Sequence, residues 1–351
     1  MLFRSGVKPI RHHTQGADFF EQSHFLYRGD TTQKIDVAPQ GFLQVLMRSP
    51  DREKRWLETA PAGATTSYRR RSLANWITDT EQGPGHLLAR VIANRVWQHH
   101  FHVGLVSTPN DFGAMGQRPT HPELLDWLAA ALMAPSKDGL PAWRLKPLHK
   151  LIMLSAVYQQ GSAFDAAKSK LDPQNQFHWR HSPRRMEAEV IRDSMLAVSG
   201  ELDRTQFGAG TLDDGHKRRS IYFMVKRSRL VPMMQLFDSP EPLVSVGERP
   251  STTIAPQALL FLNNSHVRAW SMSFGRRLAP LAEKSPADAI RQGYLATAGR
   301  LPSEAELAET MGFVQAQSAS YQSAGQAQAR ELAWADFAQV LMSLNEFIYV
   351  E

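Results

Sequence analysis

The sequence predicts a mainly α fold, a multi-helix globular bundle with a small β element near the N-terminus. Three observations carry this. Apolar residues recur at helical spacing over most of the chain after Leu73, and proline, glycine or small polar residues stand where those runs begin and end. Only one stretch, near the start, has the composition of paired extended segments. At 351 residues, 42% hydrophobic and 21% charged, the chain is long enough for a large core and matches ordinary globular composition.

Residues 24–47 read as two short extended segments around a polar turn at Gly29 and Asp30. They belong to an N-terminal extended segment, 1–48, and a charged stretch with Pro61 and Gly63, 49–72, reads as a linker. The helical domain spans 73–351, with 73–204 and 253–351 as two lobes of it. In the run Gly85–His102, Leu88, Ile92, Val96, Trp97 and Phe101 form the apolar face, and Gly104 reads as its stop. Thr120 reads as an N-cap with Pro122 in the first turn, followed by Leu124, Leu125, Trp127, Leu128 and Leu132. A helix fits Leu145–Gln159. The next opens at Ser182-Pro183 and stops at Gly200, with Met186, Val190, Ile191, Met195 and Val198 inward. Ser220–Val225 has strand-like composition, and helical patterns return at 255–279, 286–298, 303–318 and 328–344. The stretch 315–330, rich in Gln, Ala and Ser, reads as a helix end or loop.

Several function classes fall away. No apolar run approaches the roughly 20 residues of a membrane span. The first twenty residues hold Arg4, Lys8, Arg11, His12 and His13 without a following apolar segment, so no secretion signal is visible. Either the protein stays inside, or the natural chain starts before Met1. With no cysteine, disulfides, thiolate metal sites, a cysteine nucleophile and covalent c-type haem attachment within this chain are excluded. No cofactor is expected in this chain, and haem only on a separate domain or partner. G-x-S-x-G, P-loop and G-x-G-x-x-G signatures are missing, which weighs against serine hydrolase, P-loop and standard Rossmann chemistry. The net charge of +6 hides an asymmetry: residues 301–351 carry seven acids against one base, Arg330, so the rest of the chain is strongly basic. Such a body attracts nucleic acid or anionic glycan, but its arginine clusters are scattered and no nucleic-acid motif accompanies them.

Three constellations can carry chemistry. In the first, residues 94–127, Arg95, His99 and His102 share a helix face at i, i+4 and i+7, with Asn94 and Gln98 alongside. Beyond the turn come Asp111, His121, Glu123 and Asp126. Six of the thirteen histidines fall between residues 86 and 149. No HExxH or comparable spacing appears, so no metal ligand is assigned; the histidines equally suit a helix C-terminus, where the dipole favours positive charge. In the second, residues 182–200, Arg185, Glu189, Arg192 and Asp193 line one side of a helix. Glu189 and Asp193 are one turn apart, an arrangement suited to acid–base work or to plain intrahelical ion pairing. In the third, residues 248–267, Thr252 and Thr253 precede a Pro256-Gln257 helix start; Gln257, Asn263 and Asn264 can hold a sugar or a backbone turn.

Particular segments carry a family resemblance: Arg28-Gly29-Asp30, Ala74-Asn75-Trp76-Ile77, the run Asn94–Phe101, Pro109-Asn110-Asp111-Phe112-Gly113 and the run Thr120–Trp127. Ser155-Ala156-Val157-Tyr158, the 184–200 helix, Thr252-Thr253, Pro256-Gln257-Ala258-Leu259 and Asn345-Glu346-Phe347 complete the order. Over about residues 20–351 the chain resembles the domain of unknown function (1553 family) that closes large planctomycete-type cytochrome-associated proteins. The resemblance implies a bacterial, usually exported protein with a companion domain upstream, sometimes a haem-bearing or carbohydrate-binding module, in a periplasmic or cell-envelope setting. Polysaccharide breakdown or electron transfer would suit that context.

Two function classes follow. One is an enzyme domain acting on a polysaccharide or another anionic or polyhydroxylated substrate. Its catalytic candidates are His121, His99, Glu189 and Asp193, and its substrate-binding candidates are Arg95, Asn94, Asp111, Arg185, Arg192 and Gln257. The other is a non-catalytic helical module that docks an upstream domain or partner protein, its polar rows serving as internal ion pairs.

Overall fold

The computed structural model describes residues 23–62, 68–135, 139–226 and 228–350. The chain forms two compact units, 1–159 and 160–351. Among the described residues the architecture is mainly α, with 13 α-helices and two small two-stranded sheets. No described helix is long and apolar enough to cross a membrane. Expectations placed on the first twenty residues and on Gly63 lie outside the described residues.

In the first unit, β1 (Ser23–Leu26) pairs antiparallel with β2 (Lys34–Ala38). The turn between them is set by Asp30, whose carboxylate accepts from the Thr32 amide and hydroxyl and from the Gln33 side chain. The described residues of the stretch 49–72 include a 3-10 turn at Pro50–Arg55 and the first turn of α1 (Arg69–Thr78). Phe42, Trp56 and Trp76 form a small core there, with Phe42 stacked on Trp76. The Trp56 indole N–H donates to Asp79 at 2.9 Å, so its one polar atom is satisfied inside that core.

Helices α2 (Gly85–Phe101), α3 (Pro122–Met133) and α4 (Leu145–Met153) bury a second core of Val96, Trp97, Phe101, Leu125, Leu128, Leu132, Leu148 and Ile152. The residue before α3's Pro122 is His121 rather than Thr120, and Trp127 faces outward. Helix α2 ends one turn before Gly104, at His102, which takes a left-handed conformation and donates its amide to Gln98. Gly104 matters for a different reason: a Cβ there would lie 2.6 Å from the Asn94 side chain. Helix α4 is shorter than its apolar pattern. The Ser155 hydroxyl bonds the Ile152 carbonyl at 2.6 Å, and the chain turns there instead of continuing to Gln159.

The second unit begins with α5 (Ala166–Leu171), capped by Asp165. The segment expected to open a helix at Ser182-Pro183 instead places β3 (Arg184–Arg185) beside the chain end, and α6 (Ala188–Ser199) follows. Ile191 and Met195 of α6 are buried, whereas Val190 is exposed. Ser220–Val225 is a 3-10 turn with a single bridge from Phe223 to Thr211, not a strand. Met233 and Met234 on α7 (Pro232–Leu236) are core, and Met224 is exposed. The 255–279 pattern divides into α8 (Ala255–Asn263) and α9 (Ser265–Lys284), because Asn264 caps α9 by accepting from the His266 and Val267 amides. Then come α10 (Pro286–Ala298), α11 (Glu304–Ser323) and α12 (Ala329–Ser343). Helix α11 runs well into the stretch read as a loop. The chain closes with α13 (Asn345–Ile348) and β4 (Tyr349–Val350), the partner of β3.

Helices α9 and α12 meet at close range. An added Cβ on Gly275 would lie 2.8 Å from the Ala335 backbone nitrogen, and Ala335 and Ala338 are fully buried. Helix propensity alone would favour alanine at position 275 by about 1 kcal/mol. Overpacking against backbone opposes it and is expected to win, so Gly275→Ala should lower stability by about 1–3 kcal/mol in urea unfolding. An unchanged or more stable variant would show that the two helices can separate freely.

Candidate functional site

On α2 of the first unit, Asn94 is fully buried. Its amide donates to the Val106 carbonyl at 3.0 Å and its carbonyl oxygen accepts from the Val106 amide at 2.8 Å. It therefore acts as a backbone substitute for the loop after the helix. Arg95 donates to the Asn110 side chain at 2.7 Å, next to Asp111, whose carboxylate accepts from the Gly113 amide. His121 contacts the Thr120 hydroxyl at 3.0 Å, and His99 is exposed. Arg95 and Asp111 are thus brought to the same turn. His99 is one helical turn after Arg95 on the exposed side of α2.

The same helix holds a histidine pair that the sequence did not single out. His100 Nε2 lies 2.9 Å from His149 Nδ1 on α4, and Tyr158 packs edge-on against the His100 ring. One of the two facing nitrogens must donate and the other accept. Burial lowers the pKa of His100, and the neighbouring His149 and His99 lower it further. Neutral His100 therefore contributes stability that is fully present above the ordinary histidine value of 6.5 and is lost as pH falls towards the depressed folded value. Hydrogen-exchange protection of the α4 amides should fall on acidification through that range, and His100→Phe should remove the fall. Retention of the pH response in the variant would assign it to another group.

In the second unit Arg185 stands on β3 rather than on the helix expected to carry it, while Glu189, Arg192 and Asp193 lie on α6; all four hold the irregular chain around them. Arg185 is buried; it donates to Asp238 at 2.6 Å and to the Thr252 carbonyl at 2.9 Å. Gln257 donates to the same Thr252 carbonyl and to that of Leu236, so Arg185 and Gln257 converge on one turn. Burial raises the pKa of Asp238, but bonds from the Thr252 amide and hydroxyl and from Arg185 outweigh it and hold the carboxyl below its ordinary value. Glu189 pairs with Arg249 at 2.8 Å. Asp193 accepts from the Ser220 amide and hydroxyl, both at 2.7 Å. The two carboxylates therefore each have their own partners.

Arg192 is 1% exposed, with its guanidinium donating to the backbone carbonyls of His216, Arg218 and Asp214 and to the Ser220 hydroxyl. Its Nε has no hydrogen-bond partner. Removing this side chain strands several buried carbonyls, and lysine lacks the planar fork that reaches them. Arg192→Met should cost about 3–5 kcal/mol, and Arg192→Lys most of that, in denaturant unfolding. A loss below about 1 kcal/mol for the methionine variant would mean that the loop finds other partners.

Arg192 also forms the inner wall of a cavity of about 280 Å³. Val231, Met233, Leu236 and Leu260 give it an apolar side; Asp214, Asn264, His266 and Trp270 give it a polar and aromatic one. His266 stacks on Trp270, with ring centroids 6.0 Å apart, and its Nε2 lies 4.0 Å from the Asp214 carboxylate. Asp214 sits on the 211–220 loop that Arg192 and Asp193 secure. Gly215 lets this loop approach α9, since a Cβ there would lie 3.1 Å from the His266 ring. Of the residues singled out from the sequence, Arg192 and Asn264 reach this cavity. Asp214, His266 and Trp270 were missed; the one signal available was His266 and Trp270 at i, i+4, one turn apart on one helix face. Among the described residues no group of three or more His, Asp or Glu is placed to hold a metal ion.

A family model described as PSD1, protein of unknown function (DUF1553), matches residues 69–314. The chain belongs to the PSD1 family. The resemblance drawn from the order of sequence motifs is thereby borne out. The match runs from α1 into α11, so the PSD1 region includes α2 with its polar row, α6, and every residue lining the cavity. No curated protein and no solved structure matches the chain.

Proposed function

We propose that this PSD1-family chain binds a small polyhydroxylated ligand, a sugar unit of a polysaccharide, in the cavity bounded by α6, α8, α9 and the 211–220 loop. The observation that carries the reading is the mixed lining over one aromatic ring. Asp214 accepts hydrogen bonds, and His266 can accept or donate. Hydroxyl groups do both, so alternating donors and acceptors suit a sugar better than a simple anion, for which an acidic Asp214 is a poor neighbour. The apolar wall and Trp270 supply surface for the C–H face of a ring. The volume lies at the small end of ligand pockets, which run from about 300 to 1,000 Å³, and suits one sugar unit rather than a long chain.

In this reading Arg192 and Asp193 position the loop, and Asp214 and His266 contact the ligand. At 4.0 Å the Asp214 carboxylate and the His266 ring are neighbours on the same wall without a hydrogen bond between them. Whether ligand binding leads to a reaction is decided by turnover of the bound sugar. The cell-envelope, polysaccharide-associated setting implied by the family resemblance supports the ligand class. A second reading, a docking module, is supported by the exposure of Phe25, Tyr27, Ile35 and Val37 on the β1–β2 hairpin.

The test is a calorimetric titration with glucose, N-acetylglucosamine and glucuronate. Saturable binding of a neutral sugar near the millimolar range is expected, weakened about tenfold in Asp214→Ala and His266→Ala. Both side chains are partly exposed, so neither substitution disturbs the core. Binding of none of the three, or binding indifferent to both substitutions, would remove this reading.

A further inference from the structure

The 211–220 loop has little backbone pairing of its own, with one bridge from Thr211 to Phe223 and one from Arg218 to Asp203. Lys217 pairs with Glu201 and Arg218 donates to the carbonyls of Thr205, Phe207 and Ala209, while the attachment to α6 is made by that helix's side chains. Arg192 holds the carbonyls of Asp214, His216 and Arg218, and Asp193 holds the amide and hydroxyl of Ser220. Between these fastenings the His216 ring turns inward. Both its nitrogens are buried without a hydrogen-bond partner, and the ring lies edge-on to Phe223 with centroids 4.5 Å apart.

We propose that this loop is an acid-released wall of the cavity: protonation of His216 detaches residues 211–220 from α6 and carries Asp214 out of the site. An imidazolium at this position would present two N–H donors to surroundings that offer them no acceptor. The charged groups around it are Arg192 of α6 and Arg218 of the loop, which oppose a positive charge, and Asp213 of the loop and Asp193 of α6, which favour it. Both carboxylates are already engaged, Asp213 with the Gly215 amide and Asp193 with Ser220. On α9, the His266 ring lies beside the loop at Gly215. Burial lowers the His216 pKa, and Arg192 lowers it further, so the closed loop keeps the ring neutral.

The direction follows from linkage. Closed and open loops bind protons equally above the ordinary histidine value of 6.5; below it the open loop takes up a proton that the closed loop refuses. The opening constant then grows tenfold per pH unit until the folded pKa is reached, at most about 30-fold by about pH 5. The proposal rests on the cavity being a ligand site only for its consequence, loss of ligand in acid. The release itself is independent of any ligand.

Hydrogen exchange of the loop amides, corrected for intrinsic rates and followed by mass spectrometry on the full chain, tests it at about pH 7.5 and about pH 5. Protection in the native chain should fall by up to about 30-fold, remain level in His216→Phe, and still fall in His266→Gln. His216→Met, also unable to ionise, replaces the phenylalanine variant if that one fails to fold. A level native response, an unaltered fall in the His216 variants, or loss of the fall in His266→Gln would each overturn the proposal. Failure of the sugar titration alone removes the ligand reading and leaves this measurement unaffected.

Discussion

The arrangement of the second unit turns on one desolvated guanidinium. Arg192 comes from the middle of α6, where burying a charge is costly unless hydrogen bonds replace its lost water. No carboxylate grips it in a fork; Asp193 lies 3.7 Å away and is committed to Ser220. The replacement comes mainly from backbone carbonyls of a loop some two dozen residues downstream. The loop supplies the acceptors that Arg192 needs, and Arg192 supplies the donors that the loop carbonyls need. That mutual requirement fixes where Asp214 stands, and so gives the cavity its polar side. Burial lowers the Arg192 pKa, while Asp193, Asp214 and Asp213 work in the opposite direction.

The same device recurs at other irregular segments. Arg185, Asp238, Thr252 and Gln257 tie the stretch before α8 to β3, and Asn94 ties the loop after α2 to that helix. Near the chain end Arg300 bridges Glu306 and Glu346, and its hydrogen bonds, with those of Ser303, hold the Glu306 carboxyl down to about 2. A long connection without a sheet to pair with must satisfy its backbone groups through side chains. Helix rows rich in arginine, asparagine and carboxylate are well suited to this, which is why such rows resemble active-site constellations in sequence. Their bonds within each unit fasten the irregular segments beside them.

The family assignment gives these observations reach without giving them a reaction. The matched region contains the α6 row, the 211–220 loop and the helix carrying His266 and Trp270. The unit therefore offers a specific object for experiment: a small cavity, two partly exposed polar residues that can be changed without emptying the core, and a half-buried histidine whose ring nitrogens lack hydrogen-bond partners.

Much of this was legible in the sequence. Helical spacing gave the mainly α class, and cap chemistry gave many element boundaries, including the start at Pro286 and the stop at Gly200. Motif order gave the family. The boundaries that failed did so where a single side chain outweighed periodicity, as with Ser155 ending α4 and Asn264 dividing α8 from α9. The site was less legible. Arg192 could be picked out as one of a row of charged residues on one side of a helix, but its partners are mainly backbone carbonyls, which any residue type can supply. Asp214 and His266 lie about fifty residues apart in a stretch without repeating pattern. Their meeting is decided by how the loop is fastened to α6, an outcome of hydrogen-bond geometry that residue identity does not encode locally.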